Sequence, residues 1–516
     1  MRNTASLIVP IVLMGLLTGC DSSDDNDNPP PSNTPPPRGS LIDDPPALVS
    51  SYSAAQLVDT FGEGIEGEAL LQFAGDPVCG VDVYQLRYRT VEEDDEPTTA
   101  SGALLIPTGS GEECVGERPT LLYAHGTTIE KTLNLADLEA ESSFEAQFLA
   151  IAFAARGYIV VAPNYVGYDT SDSDDHPYLN AEQSAKDMID ALTAARSALP
   201  ASSAPDTVGS EQLFITGYSQ GGHVAMAAHR AMQEEGQSVT ASAPMSGPYA
   251  LSAFGDAVFY GQVNARAPMV MTFLITSYED AYGDIYDEEE EVFEAAYASD
   301  IEDLLPSTRS RSELFDEGSL PRDQLFSDTP PDPIYAPYTP ATQPEAFADI
   351  FALGFGPEHL LTNDFRLAYL QDAEANPDGG FPDTTTAQPP ENPAHPFRAA
   401  LKRNDLRNWT PEAPVFLCAG NGDPTVFYLN TQLMQSYWAQ TDADVTVLDI
   451  EADPEGDDPY EDLKEGFDAA KTLVEAEALA SGDDPDAAVL DIYHELVAPF
   501  CLSAVRDWFD AQLSGE

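Results

Sequence analysis

Leu213-Phe214-Ile215-Thr216 runs directly into Gly217-Tyr218-Ser219-Gln220-Gly221-Gly222, and His223-Val224-Ala225 follows with helical spacing. A short apolar run closed by a glycine suits a strand buried on both faces of a sheet. Gly-x-Ser-x-Gly between a strand and a helix is a sharp turn that lifts the serine to the strand tip. The turn forces Ser219 into a strained conformation, so the residues two before and two after it must lack bulk. The helix beginning there aims its free N–H groups and positive dipole end at any negative charge forming beside the serine. This pattern predicts a nucleophilic Ser219.

Outward from that turn, strand and helix alternate. Val81–Arg89 alternates apolar and polar residues as a half-buried strand would, and Gly102–Ile106 follows as another. Thr120–Ala124, Tyr158–Ala162 and Ala413–Ala419 are continuous apolar runs bounded by breakers. Phe144–Arg156, Ala181–Leu199 and Gly222–Glu235 repeat apolar residues at three- and four-residue spacing. Alternation of this kind predicts an α/β fold: a mostly parallel central sheet with helices on both faces, joined by right-handed crossovers. Two stretches break it. Gly247–Thr410 is rich in Pro, Tyr and acidic clusters and is expected to cap the sheet's carboxyl edge. Glu451–Ala488 is a second, acid-rich insertion with a helix over Glu461–Ala480. The acidic runs Asp287–Glu291 and Asp169–Asp175 read as solvated faces, and neither has calcium-loop spacing.

With the elbow in this setting, the chain resembles an α/β-hydrolase, and within that superfamily the bacterial and fungal secretory lipases and esterases with a large cap. The likeness covers roughly Val81–Gly247 and Ala413–Asp510. It implies an acid after a late strand and a histidine beyond it. Val415–Ala419 ends in Gly420-Asn421-Gly422-Asp423, which places Asp423 at the acid position. Asp442 and Asp444 precede the next strand (Val445–Ile450) and sit at its wrong end. His494 is the only one of seven histidines downstream of Asp423, and is expected just before a C-terminal helix over Ala498–Leu513. The acidic insertion separates acid and base more widely than is usual in the family. A buried acid would fix the histidine tautomer and steady the imidazolium. The oxyanion donors implied are the N–H of Gln220 and, from Tyr123-Ala124-His125-Gly126-Thr127-Thr128, that of Thr127, with Gly126 as second choice. His223 and His229 read as packing or surface residues; His176, His359 and His395 lie in loops or the cap and are unassigned.

Composition bounds the partners. Against 89 Asp and Glu stand 22 Lys and Arg, a net charge of −67, and only five of those cations are Lys. Phosphate neutralisation on nucleic acid is excluded. Acidic, Lys-poor surfaces resemble those of proteins from salt-loving bacteria. Hydrophobic residues at 43% suffice for a core.

Leu7–Leu17 is an apolar run too short to span a bilayer and the right size for a signal-peptide core. It ends in Leu17-Thr18-Gly19-Cys20, which resembles a bacterial lipobox: residues 1–19 are removed and Cys20 is lipidated. Residues 20–46, rich in Pro, Asp, Ser and Asn, read as a tether that cannot bury enough surface to fold. The domain plan is therefore a hydrolase core over 47–246, a cap over 247–410, and core again over 411–516 with the acidic insertion 451–488. Cys79, Cys114, Cys418 and Cys501 remain; three connectivities are open, and sequence neighbours favour Cys79–Cys114 with Cys418–Cys501. No Cys/His spacing suggests zinc.

The function expected is a lipid-anchored, exported serine esterase or lipase, monomeric, acting on an ester substrate with neither metal nor organic cofactor. A serine peptidase or amidase on the same scaffold, or a surface interaction protein without activity, are the alternatives. Acyl length and natural substrate are not legible.

Overall fold

The protein's elements follow from two periodicities, alternation in strands and three-to-four spacing in helices. The computed structural model describes residues 36–92, 95–140, 143–199, 202, 206–382 and 387–514. The signal segment 1–19, Cys20 and the tether as far as residue 35 lie outside the described residues.

Nine strands are ordered β1-β2-β3-β5-β4-β6-β7-β8-β9. They are β1 (Ala47–Tyr52), β2 (Gly80–Val91), β3 (Pro97–Thr108), β4 (Gly116–Ala124), β5 (Ile159–Pro163), β6 (Thr207–Tyr218), β7 (Ala241–Met245), β8 (Val415–Ala419) and β9 (Val445–Asp449). The first three pair antiparallel, as does β3 with β5; every pairing from β5 through β9 is parallel. Among the helices, α1 (Ala54–Phe61), α2 (Gly64–Ala74), α3 (Phe144–Ala152), α4 (Ala181–Ala198) and α5 (Gln220–Glu234) precede β7. Between β7 and β8 lie α6 (Leu251–Phe259), α7 (Ala267–Tyr282), α8 (Arg311–Asp316), α9 (Ala348–Leu353), α10 (Asn363–Ala375) and α11 (Pro396–Arg403). After β8 come α12 (Leu429–Trp438), α13 (Glu461–Ser481) and α14 (Pro485–Ser514).

In β4 and β6, alternation assigns the buried apolar residues to one of two cores. Leu121, Tyr123 and Phe214 face α3 and α14, whereas Leu122, Leu213 and Ile215 face α4 and α5. Truncating Phe214 to Ala would remove a ring with no exposure and cost about 3–5 kcal/mol. The segment between β7 and β8 has its own apolar core, built on aromatics such as Phe259 stacked on Tyr369 at 3.6 Å between centroids.

The structure departs from the sequence reading at four places. Val81–Arg89 is not half-buried: Val81 and Val83 face one core while Tyr84, Leu86 and Tyr88 face the other. β7 reads Ala-Ser-Ala-Pro-Met and has no apolar run to announce it. The tether does not extend to residue 46. Gly39 N–H donates to Arg89 O at 2.8 Å, Ile42 N–H to Arg87 O at 2.8 Å, and Arg38 Nε pairs with Asp190 at 2.9 Å. The free rim of β2 supplies partners that composition cannot reveal. Finally, the last helix begins at Pro485, not near Ala498, so His494 stands inside α14. Pro499 lacks an N–H and looks like a helix start, yet here it sits mid-helix.

Both disulfides join sequence neighbours. Cys79–Cys114 and Cys418–Cys501 span 35 and 83 residues, the second tying β8 to α14.

Candidate active site

Ser219 stands at the tip of β6 with φ 60° and ψ −122°, a region that costs a non-glycine residue about 1–3 kcal/mol. Its N–H donates to Met245 O at the end of β7, 3.0 Å away, which pins the turn. A Cβ on Gly217 would lie 2.3 Å from Gly221 O, and one on Gly221 only 2.0 Å from Ala124 O. Backbone, not side chain, fills both spaces, so neither position admits a larger residue.

Asp423 follows β8 and is buried; its Oδ1 accepts the N–H groups of Thr425 at 2.8 Å and Val426 at 3.1 Å. Its Oδ2 lies 2.6 Å from His494 Nδ1. A carboxylate only accepts, so Nδ1 carries the proton and Nε2 of the neutral ring is left as an acceptor. His494 Nε2 is buried without a hydrogen-bond partner and lines the same cavity as Ser219. Serine and histidine are therefore not yet bonded, as is common before substrate arrives.

Two of the expected oxyanion residues line the cavity with the serine. In the turn after β4, the Gly126 N–H donates to Glu145 Oε1 at 3.2 Å, and Thr127 lines the cavity that contains Ser219. Gln220 is the first residue of α5, where backbone N–H groups have no partner within the helix.

Several side chains that hold these groups were not legible. The Tyr218 hydroxyl donates to His494 O, and its ring lies 5.0 Å from the imidazole. Glu451, at the head of the acidic insertion, accepts from Gly422 N–H at 2.9 Å and from the Tyr493 hydroxyl. Gly422 N–H also reaches Tyr493 Oη at 3.1 Å, so the turn carrying Asp423 is braced by the neighbour of His494. Lys471 of α13 closes the set as an ion pair with Glu451 at 2.5 Å. No short-range pattern links residues so far apart in sequence. His223 and His229 are structural: His223 bonds Asn404 O at 2.9 Å and His229 bonds Ser242 Oγ at 2.8 Å, both buried.

The cavity holding Ser219, Gln220, Thr127 and His494 measures about 370 Å³. Its apolar wall comes from the segment between β7 and β8, through Leu251, Phe254, Val258, Met271, Leu274 and Leu401.

No family model matches the chain, and no curated protein matches it. Among solved structures it is similar to the rice cell wall degrading esterase LipA from Xanthomonas oryzae, with TM-score 0.67 and 26% identity over 92% of this chain and 100% of that one. A putative hydrolase from Legionella pneumophila aligns with TM-score 0.60 and 18% identity over 92% and 98%. The chain has the α/β-hydrolase fold. The LipA likeness supports a hydrolase fold of the lipase/esterase type. Within it, Ser219, Asp423 and His494 come from β6, β8 and α14 and meet at the sheet's carboxyl edge. That edge is where open α/β sheets bind their ligands.

Proposed function

We propose that this α/β-hydrolase cleaves carboxylic esters through an acyl-enzyme on Ser219. The observation carrying the reading is the Asp423–His494 contact of 2.6 Å beside a cavity that also contains Ser219. His494 Nε2 takes the Ser219 proton while Oγ attacks the ester carbonyl. The N–H groups of Gln220 and Thr127 receive the charge on the carbonyl oxygen, each worth roughly 3 kcal/mol in the transition state. Collapse expels the alcohol, which leaves with the proton held by His494. Water, deprotonated by the same nitrogen, then releases the acid and restores the serine.

Export is supported by two disulfides, which persist in oxidising compartments. Leu17–Cys20 supports anchoring through acylated Cys20, and the charge of −67 supports adaptation to salt. The test is fluorophosphonate labelling with a graded p-nitrophenyl ester series and matched amides. Wild type labels at Ser219 and turns over esters, whereas Ser219→Ala does neither. Substantial turnover by purified Ser219→Ala, or faster cleavage of amides than esters, sinks the reading. Palmitate labelling of the full chain that survives Cys20→Ser sinks the anchor.

A further inference from the structure

The loop between β5 and α4 carries His176-Pro177-Tyr178, to which the sequence assigned nothing. His176 Nδ1 lies 3.0 Å from Val166 O and so must donate to it. Its Nε2 is therefore an acceptor, and it lies 2.6 Å from Gln220 Nε2, which donates. Burial holds His176 down to about 3, so the ring stays neutral and the acceptor persists at any ordinary pH. Two residues on, the Tyr178 hydroxyl lies 2.9 Å from Thr127 Oγ1. Gln220 and Thr127, the two residues proposed to supply the oxyanion N–H groups, are thus each gripped, through their side chains, by one short tripeptide.

That tripeptide is itself held on every side. The His176 ring packs against Tyr165 at 5.6 Å, Tyr168 at 4.8 Å and Phe273 at 6.2 Å. Tyr178 stacks on Phe273 at 5.0 Å, and Tyr278 donates its hydroxyl to Leu179 O at 3.2 Å. Phe273 and Tyr278 belong to α7, so the inserted layer sets the height of the clamp.

We propose that His176 and Tyr178 are positioning residues that lock the side chains of Gln220 and Thr127, and thereby fix the spacing of the two oxyanion N–H donors. The inference rests on the acyl-transfer reading above. The donors come from separate elements, the turn after β4 and the start of α5, with no direct bond between them to set their separation. An error of an ångström in such a pair costs up to about 100-fold in rate.

The test uses the full chain with His176→Phe, which keeps a ring and loses the acceptor, and Tyr178→Phe, which loses only the hydroxyl. Each should lower kcat by about 10- to 100-fold, with KM and melting temperature near wild type. Affinity for a boronic acid that forms a tetrahedral adduct should fall in parallel, a change that loss of bulk stability would not single out. Gln220→Ala keeps its backbone N–H, and His176→Phe added to it should bring little further loss. Gln220→Ala and Tyr178→Phe remain decisive should His176→Phe not fold. Wild-type kcat in these variants, or losses that multiply in full in the double variant, overturns the clamp. Ser219→Ala separates the two failures: if it is inert while the clamp variants are fully active, only the clamp is wrong.

Discussion

The catalytic edge and the inserted layer bury ionised groups in opposite ways. At the edge, Asp423 is met by two backbone N–H groups and one imidazole, and no guanidinium. In the inserted layer, Arg398 gives Nε and Nη2 to Asp256 and Nη1 to Asp372, while Arg407 takes Asp378 and Asp405, each through two nitrogens. Both arginines are essentially without exposure. The first arrangement leaves His494 Nε2 free to gain and lose a proton. The second engages all three nitrogens of each guanidinium and ties α6, α10, α11 and the chain after α11 to one another. On the proposed mechanism a proton moves in the first region, whereas the second is held together by its ion pairs.

The largest test removes the charge at the edge. Asp423→Asn should lose roughly 10⁴-fold in kcat, because the wrong histidine tautomer would face the serine. Its melting temperature should stay within a few degrees of wild type. Activity within tenfold of wild type would erase the distinction drawn between the two regions.

The mirror experiment is Arg398→Met, which leaves Asp256 and Asp372 buried without their cation. It should cost about 3–5 kcal/mol in urea unfolding. Adding Asp256→Leu and Asp372→Leu should recover most of that, since the penalty belongs to the orphaned carboxylates. A single variant with an unchanged midpoint would mean the network does not hold the layer.

Asp187 on α4 is an intermediate case that sharpens the comparison. It is buried, accepts the Tyr88 hydroxyl at 2.6 Å and Val166 N–H at 2.9 Å, and has no bonded cation. Burial pushes it up to about 7. The folded carboxyl then holds a proton that the unfolded one releases near 3.9. Through this group stability is greatest below about pH 4 and declines as pH rises to about 7. Asp187→Asn should therefore stabilise at pH 8, with the gain shrinking steadily toward pH 4. Thermal melts at both values decide the sign; a gain independent of pH would refute the assignment.

The smallest effect concerns exposed charge. With −67 on one molecule, raising NaCl from 0.05 to about 2 M should lift the melting temperature by a few degrees, as self-repulsion is screened. Surface pairs such as Arg87–Asp43, 3.2 Å apart, contribute little that salt could remove. A midpoint falling steadily across the series would mean that ion pairs govern this surface.

What was legible in the sequence follows the same division. Ser219 sits on a turn whose glycines are demanded by backbone, and the Gly-x-Ser-x-Gly spacing is written within a few residues. Gly420 and Gly422 before Asp423 instead face the side chains of Tyr493 and Glu451, although the Gly-rich turn itself is just as local. β4, β5, β6 and β8 announce themselves because each carries a continuous apolar run where both faces of the sheet are covered. His494 could be picked by position along the chain, but not its place inside α14, because Pro499 imitates a helix start. Arg398, Arg407, Glu451, His176 and Tyr178 were silent. Each acts through a partner distant in sequence or in another layer, and no local period records such contacts. β7 was missed for a different reason: a five-residue strand covered by neighbours needs little hydrophobicity of its own.

His494 rides on the last helix, and that has a consequence for when the chain becomes active. Synthesis proceeds from the N-terminus at about 5–20 residues per second, so the base follows Ser219 by roughly 15–55 s. Throughout that interval the chain holds Ser219, the proposed nucleophile, without the histidine proposed to take its proton. The Cys418–Cys501 bond cannot close until α14 has emerged as well. On the proposed assignment of His494 as the base, ester cleavage through Ser219 would therefore begin only after the chain is nearly complete.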